Sequence, residues 1–201
     1  MTQKSIATIA KILAGARTLF LERNYAEVTM DHIAAAAEVT KGALYHHFSS
    51  KEELYLAMMH ADLEEARRLH QQGVDMPGTC RQRLQVLTGA FLTAPREKRE
   101  VVRLVRRDVN IFGEEARKDL VHAYQTALPE LVTQIIADGI AAGELLKADP
   151  RLLAWQFVAL VEVTLSDYAS SALGDVSAQL DQVLDLFFVG AQAPVGLGAN
   201  A

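Results

Sequence analysis

The chain has 201 residues, half of them hydrophobic, a formal net charge of −5 and one cysteine, Cys80. That is enough apolar material for one sizeable core plus a small appended domain. It excludes a disulfide within the chain and a cysteine-based metal site. With no apolar run of spanning length and no secretory leader, a reducing, cytoplasmic setting without membrane association is expected.

In chain order, the first predicted helix spans Lys4 to Arg23, with Ile6, Ile9, Ala10, Leu13, Ala16 and Phe20 in one apolar stripe. Thr29 is set to cap a short second helix, Met30 to Ala37, whose inner face is Met30, Ile33, Ala34 and Ala37. Glu38 and Val39 make a turn. Thr40 caps a third helix that runs to about Phe48. Leu44 and Phe48 form its buried seam, and Thr40, Lys41, Tyr45, His46 and His47 project around it. Two short helices joined by a tight turn, the second polar and basic, have the layout of a helix-turn-helix, whose second helix enters the major groove of duplex DNA. Ser50 and Glu53 then form a capping box for a fourth helix.

These residues carry a resemblance. From Ala16 to Leu54 the chain is similar to the N-terminal domain of the tetracycline-repressor (TetR) family of transcription regulators. The matching pieces are LF at 19–20, Tyr25, Thr29, Ile33-Ala34, AEVTKGALYHHF at 37–48 and SKEEL at 50–54. They cover about a fifth of the chain; the remainder resembles the family in length and helical character only. Two positions depart from the pattern, since the family usually has Gly where Asn24 and Glu38 stand. Asn24 is expected to tolerate a left-handed helix end. Glu38 costs on the order of 1 kcal/mol if the turn requires a positive φ.

The resemblance implies a DNA-reading surface of Thr29, Thr40, Lys41, Gly42, Tyr45, His46, His47 and Lys51. Thr40 and Lys41 stand at the end of the recognition helix that meets bases and phosphates, and Gly42 lets the backbone approach. Tyr45 and His47 match positions that contact phosphates, and His46 reaches toward bases. Lys51, at the start of the fourth helix, is placed to hold a phosphate with its charge and the free backbone N–H groups. The competing reading of each is an ordinary solvated residue; the whole motif in register favours DNA. Charge supports it. Residues 1–51 hold six Lys or Arg against four Asp or Glu, a net of +2, so the rest carries −7. Neighbours on a helix point about 100° apart, so His46 and His47 do not chelate one metal well. No metal or other cofactor is expected.

Beyond the motif the fourth helix is predicted to end near Gln72, with a loop from Gly73 to Gly78. Thr79 and Gln82 offer a capping box for a helix from Cys80 to about Thr93. Pro95 breaks the chain before an Arg-rich helix, Glu97 to Phe112. After Gly113 a helix continues to about Ala142, kinked at Pro129. Asp149-Pro150 starts a helix that runs to about Ala172. Asp175 caps the last, which stops at Gly190, and Ala191 to Ala201 reads as a disordered tail.

The helix after Pro150 is apolar almost all round, from Leu152 to Leu165, so it needs cover on more than one side. A deep monomer core provides that, and so does a second copy packed across a two-fold axis. The homodimer is favoured, partly because the resembled family dimerises through these helices. For a small-molecule effector the candidates are Arg103 and Arg106, whose guanidinium forks suit an anionic head group, with Phe112 and Trp155 as aromatic walls. Glu162 would suit a cation. An anionic lipophile such as an acyl-coenzyme A is slightly favoured. No paired-carboxylate, nucleophile-elbow or phosphate-loop motif occurs, so no enzyme is expected.

The expectation is therefore an all-α chain: a helix-turn-helix DNA-binding domain at 1–50, and a larger effector-binding and dimerisation domain at 51–190 entered through a connecting helix at 51–72. Its function is a ligand-responsive regulator, a repressor released from a palindromic operator in double-stranded DNA. The alternative is a helical adaptor whose motif does not bind DNA.

Overall fold

Twelve α-helices and two short 3-10 turns, with no strand among the described residues, make up the computed structural model, which describes residues 3–191. The helices are α1 (Gln3–Glu22), α2 (Met30–Ala36), α3 (Lys41–His47), α4 (Lys51–Asp75), α5 (Cys80–Thr93), α6 (Arg96–Arg99), α7 (Val101–Asp108), α8 (Glu114–Ala127), α9 (Pro129–Ala141), α10 (Pro150–Val163), α11 (Asp167–Leu173) and α12 (Val176–Ala191). The tail expected to be disordered lies, after Ala191, outside the described residues. By compactness the chain forms two units: Met1–Glu65 with Pro95–Tyr124, and Ala66–Ala94 with Gln125–Ala201.

In the first unit, α1 buries Ile12, Ala16 and Phe20 and packs on α2. The approach is backbone to backbone. A Cβ at Gly15 would sit 2.9 Å from the Ala37 nitrogen, so only glycine fits there. The turn after α2 is a complete Schellman closure: Glu38 N–H donates to the Ala35 carbonyl and Val39 N–H to that of Ala34. Glu38 occupies the left-handed position at φ 54°, which glycine usually fills. Asn24, by contrast, is extended at φ −68° and caps the 3-10 turn Tyr25–Glu27, so the expected left-handed helix end is not used.

Two buried carboxylates tie the later helices of this unit to α1 and α4. Asp62 of α4, 3% exposed, pairs with Arg17 of α1 and, at 3.1 Å, with Lys98 of α6. Asp108 of α7, equally buried, accepts a hydrogen bond from the Tyr55 hydroxyl at 2.7 Å and from Arg107. Arg107 also donates to the Phe20 carbonyl. Burial and the neighbouring Asp108 push the Tyr55 phenol well above its usual range, so it remains a donor. The Arg-rich segment expected as one helix is divided at Glu100 into α6 and α7 and ends in a 3-10 turn, Val109–Ile111.

In the second unit α5 packs on α9 and α12, and α10 packs on α9 and α12. The expected loop from Gly73 begins three residues later, because Gly73 to Asp75 continue α4. A Cβ at Gly73 would meet the Arg83 carbonyl oxygen and the Leu87 Cβ, both at 2.8 Å, so this glycine serves helix contact and not a turn. The predicted kink at Pro129 is a full break. Leu128, whose backbone the following proline keeps out of the helical region, stands at φ −144° and separates α8 from α9. The helix from Pro150 likewise stops at Val163, where the Thr164 hydroxyl donates to the Val161 carbonyl and Ser166 accepts the Ala169 N–H to begin α11. No helix among the described residues is long and apolar enough to cross a membrane.

Candidate nucleic-acid interface

The recognition helix is positioned from beneath and capped from both ends. Leu44 is fully buried and Phe48 is 7% exposed, so one side of α3 is fixed against the first unit's core. Thr40 Oγ1 accepts the Ala43 N–H at 3.1 Å. Upstream, Thr29 Oγ1 accepts the His32 N–H at 3.2 Å while His32 Nδ1 accepts the Thr29 N–H, a reciprocal cap with histidine in the place of the usual Glu or Gln. Sequence reading missed His32 because imidazole is seldom a capping partner.

The opposite side of α3 is open. Thr40, Lys41, Gly42, Tyr45 and His46 are exposed and His47 is half-buried. Nothing lies within 4 Å of a Cβ built at Gly42, so the backbone there faces free space. Lys41 Nζ lies 2.8 Å from Asp31 of α2 and 6.0 Å from the Tyr45 ring centre. The hydrogen bond to Asp31 holds its ammonium above the usual lysine range. The His46 and His47 rings meet edge to face at 5.0 Å.

Lys51 differs from its expected role. Its Nζ donates to the carbonyls of Tyr25, at 2.7 Å, and Val28, at 2.9 Å, and lies over the Tyr25 ring. Desolvation lowers its pKa. Two of its three protons are thus committed inward, and it fastens the 3-10 turn before α2 to the start of α4. The α4 capping box is also shifted. Ser50 accepts the Glu53 N–H as expected, but the Glu53 carboxylate reaches back to the N–H and hydroxyl of Ser49.

The residues singled out for an effector divide between the two units. In the first unit, Arg103 is exposed and paired with Glu100, and Arg106 is exposed. Phe112 is buried against the rings of Tyr25 and Tyr55, both at 5.4 Å, in an aromatic cluster with Phe20. In the second unit, Trp155 and Glu162 lie half-buried on α10. None of the five lines the small internal cavity of that unit, which is bounded by Leu87, Thr88, Phe91, Leu128, Val132, Phe157, Val158 and Val161.

Residues 12–58 match the family model of bacterial regulatory proteins, tetR family, and residues 77–166 match that of the tetracyclin repressor-like C-terminal domain. The chain belongs to the TetR family. It is thus a helix-turn-helix transcription regulator and not an enzyme. It is 24% identical over 189 residues to an uncharacterised HTH-type regulator, YhgD, of Bacillus subtilis, covering 94% of this chain and 96% of that one. Two solved structures share its fold. One is the regulator FadR of Bacillus subtilis in complex with stearoyl-CoA (TM-score 0.76, 17% identity, 90% of this chain and 98% of that one). The other is AibR in complex with isovaleryl coenzyme A and operator DNA (TM-score 0.71, 22% identity, 93% and 99%).

Proposed function

We propose that this regulator is a homodimeric repressor that binds a palindromic operator through α3 and leaves it when a lipophilic effector binds the C-terminal domain. The observation that carries the first part is the exposed row Thr40, Lys41, Gly42, Tyr45 and His46 on a helix whose other side is fixed by Leu44 and Phe48. In this reading Lys41, Tyr45 and His47 contact phosphates, His46 reaches base edges, and the open backbone at Gly42 allows close approach. Thr29 and Thr40 act by capping the two helices, and the start of α4 contributes backbone N–H groups in place of the Lys51 ammonium.

The dimer is proposed through α10 and α12. Leu152 and Val163, eleven residues apart and so on one side of α10, are 59% and 67% exposed; Leu186 and Val189 of α12 are 55% and 81% exposed. For the effector, the acyl-coenzyme A complexes of FadR and AibR support an anionic lipophile, with Arg103 and Arg106 as partners of its head group. Arg103 would then exchange the Glu100 carboxylate for the ligand. Movement of α7 would reach α1 and α4 through Arg107 and Asp108.

The test is fluorescence anisotropy of the full chain on duplexes selected from genomic fragments, across a salt series. Sequence-selective binding that weakens steeply with salt is expected, lowered by Tyr45→Ala and Lys41→Ala with dimer and fold intact. Affinity unchanged in both variants would overturn the interface.

A further inference from the structure

Asp31 places a carboxylate beside the start of the recognition helix, where a polyanion is to be bound. It stands in the first turn of α2, and its two oxygens lie 2.8 Å and 3.1 Å from Nζ of Lys41, the first residue of α3. Both side chains are open, at 65% and 62% exposure, and Gly42, which follows Lys41, faces free space. An acid in the first turn of any helix is favoured by the helix dipole. The dipole does not account for one turned toward the neighbouring helix, next to the end that meets base edges. Alone, this carboxylate would be repelled by the phosphates. Paired with Lys41 it brings no net charge into the groove. A carboxylate has about four lone-pair positions. Lys41 engages one on each oxygen, so acceptor capacity remains on the exposed side.

In the major groove the base edges donate only through the exocyclic amines, N4 of cytosine and N6 of adenine. The adenine amine is flanked by its own N7 and, across the pair, by thymine O4, two acceptors that repel a carboxylate. The cytosine amine has one such neighbour, guanine O6, and a C5–H on its other side. We infer that Asp31 is a specificity-determining residue: it accepts the free N4 proton of one cytosine of the operator, while Lys41 balances its charge and holds the adjoining phosphate. The inference rests on the DNA-binding reading above and gives α2 a base contact beside those of α3.

The test begins with selection of tight-binding duplexes from a randomised library by the full wild-type chain and by Asp31→Ala. The variant should fold, because the side chain is exposed and Thr29 still caps α2. Wild type should select cytosine at a position where Asp31→Ala selects no base. The atom-level probe is N4-methylcytosine at that position in the wild-type duplex. It keeps Watson–Crick pairing and puts a methyl in place of the free amine proton. Wild type should bind the modified duplex about five- to thirtyfold more weakly than the unmodified one, and Asp31→Ala should bind the two alike. An unchanged base profile in Asp31→Ala would overturn the inference. So would uniformly tighter binding of every duplex by the variant, which is the signature of a lost negative charge alone, or an equal loss to N4-methylcytosine in both proteins. Each of these leaves the regulator reading standing, because wild type has selected a sequence. A wild-type chain that selects no sequence from the library overturns that reading and this inference with it.

Discussion

Buried carboxylates tie the helices of the first unit, whereas the second has a largely buried cation, Arg83, held by Asp138 and the Gly73 and Val74 carbonyls, and an apolar cavity. Asp62 holds Arg17 of α1 and Lys98 of α6, and Asp108 holds Tyr55 of α4 together with its own neighbour Arg107. A carboxylate that has surrendered its water must keep its partners, so such crossings fix helices in register. The second unit has no buried carboxylate at its cavity, which is lined by Leu, Val and Phe side chains and Thr88. Apolar surfaces repack among alternatives of similar energy. The contrast gives buried ion pairs to the part that presents α3 and an apolar cavity to the part proposed to accept a ligand.

The largest expected effect attacks the charged side. Asp62→Ala leaves Arg17 and Lys98 without their shared buried counter-ion and should cost about 3–5 kcal/mol, measured by chemical denaturation. A loss below about 1 kcal/mol would mean the junction does not differ from a surface ion pair. Next, Gly73→Ala places a methyl 2.8 Å from the Leu87 Cβ and should cost about 1–3 kcal/mol. If the second unit adapts as argued, the cost falls at the low end of that range and operator affinity does not change.

Acid should separate the units as well. His70 is 2% exposed, donates through Nδ1 to the Ala127 carbonyl at 2.8 Å, and has its pKa lowered from 6.5 by desolvation. The folded form therefore binds a proton less readily than the unfolded chain. Its contribution is fully present above about pH 6.5 and is lost as pH falls below that value. The Tm should drop on acidification from pH 7 to pH 5, and His70→Gln, which keeps a donor but does not titrate, should flatten the slope. The smallest effect is at Gly42→Ala. The added methyl meets nothing in the protein, so stability should rise by about 0.5–1 kcal/mol. Operator affinity should fall all the same, because the methyl stands in the proposed DNA interface.

Much of the local structure was legible. Capping residues, a two-helix apolar pattern and the positions of Leu44 and Phe48 are local signals, and Thr29, Thr40 and Thr79 cap as read. What failed depended on tertiary contact. Nothing local distinguishes Gly73 as a contact glycine from a loop glycine until Leu87 is brought beside it. Lys51 reads as a surface charge until the carbonyls of Tyr25 and Val28 turn toward it. On α12, Val183 is 2% exposed within the single chain, whereas Leu186 and Val189 stay open. Periodicity identifies an apolar face but not which neighbour covers it.

Cys80 begins α5 and is 2% exposed, and burial pushes its thiol up to about 12. At neutral pH it is neither ionised nor accessible, so an alkylating reagent reaches it only when the second unit opens. The native chain consequently carries its own stopwatch. The rate at which Cys80 is labelled clocks the opening of that unit without an engineered probe, and slower labelling in the presence of a compound would identify that compound as one that holds the unit shut.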